Sequence, residues 1–207
     1  MGRIDILISI IAPPVIYSIA SNQVPSWQAY LYCSIPIFLL LLWEFYQTHT
    51  LGLFATPTII GITAQVVVAY VWGSSNQGVA NLCIVFPQAC VGIMWLLSLT
   101  WKRNAIALLA RGDTPESIAE SDARWQYPGY RWATAFMCIV WGISFLSAAT
   151  VVAICGFLAP QSAFTGIQLG VGIGTPVLVG VWQYFYILHL KKRAAQAATS
   201  QEPFVQS

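Results

Sequence analysis

Charge is what this chain has least of. Lys, Arg, Asp and Glu make up 8% of its 207 residues, while 57% are hydrophobic. A soluble globular domain carries about 25% charged residues. So few charges cannot cover the surface of a soluble fold, and the composition reads as an all-α, polytopic integral membrane protein. The net charge of +2 is too small to point to nucleic acid as a partner. Catalytic signatures are also missing: there is no P-loop, HExxH, GxSxG or Asp-rich diphosphate motif. The five cysteines (Cys33, Cys83, Cys90, Cys138 and Cys155) all lie in apolar runs, with no CxxC or Cys/His spacing. They read as small hydrophobes for helix packing. Neither His49 nor His189 has a second ligand at i+3 or i+4, so no metal and no cofactor is expected.

Long apolar runs are what the chain does have. A helix needs about 20 mainly apolar residues to cross a bilayer. Six segments qualify, near 4–21, 29–48, 55–73, 79–100, 132–158 and 166–190. The first has Arg3 ahead of it but contains Pro13 and Pro14 and no clear small-residue cleavage site, which predicts a retained helix. Six spans put the N-terminus, the 48–54 loop, the 101–131 loop and the C-terminal tail on one face. That face then holds all 9 Lys and Arg residues: Arg3, Lys102, Arg103, Arg111, Arg124, Arg131, Lys191, Lys192 and Arg193. The positive-inside rule places both termini in the cytoplasm. The expected layout is a six-helix bundle over 1–193 with a cytoplasmic loop at 101–131, followed by a disordered tail at 194–207.

Within the loop, Thr114-Pro115-Glu116 predicts a helix near 115–124, with an N-cap, proline at N1 and an acid in the first turn. Trp125, Tyr127, Tyr130 and Trp132 follow, as residues that settle at headgroup level. In the last span Gly166, Gly170 and Gly174 recur every fourth residue, a small-xxx-small pattern that lets helices approach closely. Packing inside the bundle is the expected use. A homodimer face or a groove for a flat ligand are the alternatives. Pro36, Pro57, Pro87 and Pro176 also interrupt spans, each freeing backbone groups that need partners.

The stretch LLLLWEFYQTHTLG at 39–52 runs from leucines into a carboxylate. Glu44 lies about one turn from the cytoplasmic end of its span. An acid there costs less than the roughly 2.5–3.5 kcal/mol of a charge at mid-membrane, and still calls for a partner. Arg131, at the start of the fifth span, is at matching depth, as are His189 and Lys191 on the sixth. Three readings stay open: a structural Glu44–Arg131 ion pair, a catalytic or substrate-binding carboxylate, and a free snorkelling acid. Asp5 reads as a helix-dipole acid. Deeper amides, Gln65, Gln88, Gln168 and Gln183, either bond across helices or line a pocket.

LISIIAPPVIYSIAS, WEFYQTHTLGLFATPTIIGI and the WKRNAIALLARG…RWQYPGYRWATAFMCIVWGISFL block together resemble uncharacterised families of small six-helix membrane proteins. The resemblance runs over roughly residues 5–190 and implies architecture without an activity. Trp43-Glu44-Phe45 separately resembles the WEF-like motif of membrane-bound terpene cyclases from fungal meroterpenoid and indole-diterpene pathways. That likeness implies secondary metabolism, with Glu44 as the acid that protonates an epoxide or alkene. Trp43, Phe45, Tyr46 and Trp182 would face the carbocation. The cyclases carry a second acid in their last helix; here that neighbourhood reads VWQYFYILH, with Gln183.

Three functions follow as expectations. The first is a membrane scaffold, accessory chain, or binder or carrier of a lipophilic small molecule. The second is an intramembrane cyclase or isomerase using Glu44. The third is a small-molecule transporter. The lipid bilayer is the partner common to all three.

Overall fold

A computed structural model describes residues 15–17, 19–20, 23–48, 55–72, 77–112 and 114–201. The described residues are helical, with no strand among them. Eight α-helices are described in full: α1 (Ser26–Thr48), α2 (Ala55–Trp72), α3 (Gln77–Cys83), α4 (Val85–Leu97), α5 (Ala105–Leu109), α6 (Pro115–Trp125), α7 (Pro128–Leu158) and α8 (Gln161–Gln201). Most of the expected first span, with Asp5, lies outside the described residues, as does His49. Residues 15–17 and 19–20 of that span are helical.

Three helical stretches are long and apolar enough to cross a membrane: Asn81–Thr100, Pro128–Leu158 and Gly166–Arg193. Trp27–Trp43 and Pro57–Trp72 are shorter apolar helices. The structure is therefore that of a helical membrane protein, and its large exposed hydrophobics are side chains that lipid would cover.

Two boundaries differ from the sequence reading. The span expected at 79–100 is broken at Ile84 into α3 and α4, then closes in a 3-10 turn at Ser98–Thr100. Pro87 explains the break: it has no N–H to bond back to the preceding turn, and its ring crowds that carbonyl. Ile84 N instead donates to Asn81 O at 3.3 Å. The second difference is the tail. Residues 194–201, expected to be disordered, continue α8 as helix. The run AAQAATSQ is rich in alanine, the strongest helix former, and holds no glycine or proline. Residues 202–207 lie outside the described residues.

Helix α7 is the hub. It packs against α4 and α8 along its length and also meets α3, α5 and α6, while α1 packs mainly on α2 and α2 on α4. Close approach happens at glycines. A Cβ on Gly92 of α4 would sit 3.1 Å from Gly142 O of α7, and one on Gly142 would sit 3.1 Å from Gly92 O. A Cβ on Gly61 of α2 would fall 2.5 Å from Pro87 Cα of α4, and one on Gly156 of α7 would fall 3.0 Å from Asn81 Cβ of α3. Asn81 Nδ2 donates to Gly156 O at 3.0 Å across the α3–α7 seam.

The glycine stripe of the last span makes no such contact among the described residues. A Cβ at Gly166, Gly170 or Gly174 would meet nothing within 4 Å among the described residues. The close helix contacts that are described fall at Gly61, Gly92, Gly142 and Gly156. Helix α8 turns a different face to the bundle, led by Val179, Trp182, Tyr186 and Ile187.

Candidate functional site

The residues flanking Glu44 occupy consecutive positions of α1, so their side chains leave the helix about 100° apart. Trp43, Phe45 and Tyr46 are 58%, 46% and 73% exposed. Trp43 and Tyr46, three apart, stack with ring centroids 6.3 Å apart. Together with Leu39 and Leu42 they line an open apolar recess, and all five residues belong to α1. The recess is thus the outer surface of one helix. The side chain of Glu44 lies outside the described residues, so the Glu44–Arg131 pair does too. Arg131 itself is exposed in the first turn of α7.

Trp182 and Gln183 are placed elsewhere, on the α7–α8 seam. Trp182 stacks on Tyr186 at 5.2 Å and meets Phe136 edge-on at 5.8 Å. Trp141 Nε1 donates to Gln183 Oε1 at 2.6 Å. Trp141 also stacks between Trp95 at 5.6 Å and Phe145 at 5.7 Å. Among the described residues no ring contact joins this group to Trp43, Phe45 and Tyr46. Trp182 therefore packs in the seam, and Gln183 accepts a part-buried hydrogen bond there. Of the other amides, Gln65 and Gln168 are half-buried, and Gln88 Nε2 is buried without a hydrogen-bond partner among the described residues.

The Trp141–Gln183 bond yields a direct expectation. Trp141→Phe keeps a ring in the stack but leaves the Gln183 oxygen without its donor. A loss of about 1–2 kcal/mol follows, because an unsatisfied group keeps its desolvation cost. Thermal unfolding in detergent reads it. The double variant Trp141→Phe with Gln183→Leu should recover most of the loss, and a simply additive result would show that the bond contributes nothing.

The second assembly is the folded loop on the basic side. Helix α6 begins as expected: Thr114 Oγ1 accepts from Ser117 N at 3.2 Å, and Ser117 Oγ accepts from Thr114 N at 3.2 Å, with Pro115 at N1. Gly112, with φ +67°, makes the turn before it. Helix α5 was not anticipated. Asn104 caps it by accepting from Ala107 N at 3.0 Å, and its Nδ2 donates to Thr134 Oγ1 of α7 at 3.0 Å. The signal was present as an asparagine directly before the apolar run AIALL, an N-cap pattern. Ala105, Ile106 and Ala107 are buried, so α5 dips back into the bundle.

Asp122 of α6 ties the loop together. It pairs with Arg103 and lies 3.6 Å from Arg111 Nε. Arg103 also sits 5.9 Å from the centre of the Trp125 ring, a cation–π contact. Arg124 pairs with Glu120 one turn back along α6. Three cations of the loop are thereby matched by its own acids. Among the described residues no group of three His, Cys, Asp or Glu side chains could hold a metal ion. Compared with known proteins, the chain matches no family model, no curated protein and no solved structure.

Proposed function

We propose that the chain is a six-span membrane protein, with both termini in the cytoplasm, that works without chemistry of its own as a scaffold or accessory chain. The observation that carries this reading is the exposure of Trp43, Phe45 and Tyr46 on the outside of α1. Cyclisation through a carbocation needs the acid and the rings to close around the substrate and keep water out. A single-helix surface serves better as a face for lipid, for a lipophilic compound or for another membrane protein. The even span count is supported by the segregation of every cation to one side. The loop that gathers five of them is also the one that folds into α5 and α6.

Glu44→Gln, expressed at the native locus and compared with a deletion, tests the reading. Lipid-soluble metabolites and the amount of protein in the membrane are measured together. The expected result is an unchanged metabolite profile, with protein level unchanged or reduced. A normal protein level with the metabolite profile of the deletion would sink the scaffold reading and make Glu44 a catalytic acid.

A further inference from the structure

Helix α8 presents a long outward face that changes character along its length. Val177, Val181, Tyr184 and Leu188 are all exposed and recur in steps of four, three and four residues, so they form one stripe. The stripe runs directly into Lys191 and Lys192, which are exposed, as is Arg193. The opposite face of the same helix is taken by α7 through Val179, Trp182 and Tyr186.

The charge accounting sets this end of α8 apart from the rest of the basic side. Arg103, Arg111 and Arg124 are matched by Asp122 and Glu120 inside the folded loop. No acid pairs with Lys191, Lys192 or Arg193 among the described residues. In sequence, no Asp or Glu lies between Pro128 and Gln201. An apolar stripe that ends in cations with no acid partner among the described residues is complementary to an amphiphile with a long hydrocarbon chain and an anionic head.

We propose that this face binds one anionic phospholipid. An acyl chain lies along Val177, Val181, Tyr184 and Leu188, and the phosphate is held by Lys191 and Lys192. A second copy of the chain is the competing occupant, and charge decides against it in a parallel pairing. Two copies joined along α8 would bring two sets of three cations together, whereas a phosphate neutralises one set. The inference rests on α8 spanning the membrane and on Lys191 not being taken by Glu44.

Full-length protein is reconstituted in nanodiscs of phosphatidylcholine with a minor fraction of phosphatidylserine. It is then extracted into detergent, and retained lipid is measured by native mass spectrometry. Wild type should keep phosphatidylserine in preference to phosphatidylcholine. The triple variant Lys191→Gln, Lys192→Gln, Arg193→Gln should bind it roughly 100-fold more weakly, at about a factor of five per cation. Lys191→Arg with Lys192→Arg should retain it. Equal retention in the triple variant, or no preference between the two lipids in wild type, overturns the proposal. So does a lipid-free dimer that the triple variant strengthens. If the triple variant fails to accumulate, a salt titration on wild type decides: retention that falls with ionic strength supports the headgroup contact, and salt-insensitive retention rejects it.

Discussion

Gly61→Ala should unfold this protein more readily than a methyl added at any other helix-seam glycine among the described residues. The new Cβ would sit 2.5 Å from Pro87 Cα, 2.9 Å from Pro87 N and 3.3 Å from Phe86 C. All three obstacles are backbone atoms of α4, and Pro87 is held by its ring, so no side chain can rotate away. Helices α2 and α4 must separate, and with them the contacts around buried Ile62. Overpacking of this kind costs about 1–3 kcal/mol or more. For a chain of this size that corresponds to a fall in Tm of roughly 5–10 °C.

Gly142→Ala should be milder. Its nearest obstacle is the flexible end of Leu96 at 2.6 Å, although Gly92 O at 3.1 Å limits the relief. Gly170→Ala should have the opposite sign. With nothing among the described residues within 4 Å of its Cβ position, replacing glycine in a helix gains up to about 1 kcal/mol of helix propensity. Thermal unfolding of the three variants in one detergent gives the order. A destabilising Gly170→Ala would show that the glycine face of α8 has a partner in the folded protein. A neutral Gly61→Ala would contradict the α2–α4 crossing.

The second large effect is expected at Asn104. Its side chain caps α5 and bonds Thr134, and both residues are buried, at 5% and 1% exposure. Asn104→Leu removes the cap, worth about 1 kcal/mol. It also removes a buried hydrogen bond whose loss costs about 1–3 kcal/mol. The total, roughly 2–4 kcal/mol, falls on a helix of 5 residues, too short to hold its shape without its cap and its contacts. The expected result is local release of α5, read as faster trypsin cleavage at Arg103 and Arg111, while the long helices stay folded. An unchanged cleavage rate would mean that Asp122 and its two arginines hold the loop by themselves. That outcome would be unusual for pairs as exposed as these.

Several features were legible because their causes are local. Hydropathy over a window of about 20 residues depends on composition alone, and it located the apolar helices to within a few residues. The start of α6 was legible because a cap is made by neighbours in sequence, Thr114 with Ser117. Asn104 carried the same kind of signal, and the apolar run behind it concealed a helix within a loop that reads as polar. The candidate site was less legible. The motif Trp43-Glu44-Phe45 names three residues whose directions differ by helical geometry, and no pattern in one helix states which neighbour will cover them.

By itself, then, the sequence determined helicity, membrane character and the cap of α6, since each depends on residues close together in the chain. Only the tertiary structure decided which glycines touch. Gly166, Gly170 and Gly174 have the spacing of a packing motif, yet a Cβ there would meet nothing among the described residues, while Gly61, Gly92, Gly142 and Gly156 form the described seams. A missing side chain permits close approach anywhere on a helix. Where the approach occurs depends on how helices orient, and on α8 the bulky face of Trp182, Tyr186 and Ile187 packs into the bundle. That burial turns the glycines away from α7, a consequence of contacts between residues far apart in the chain.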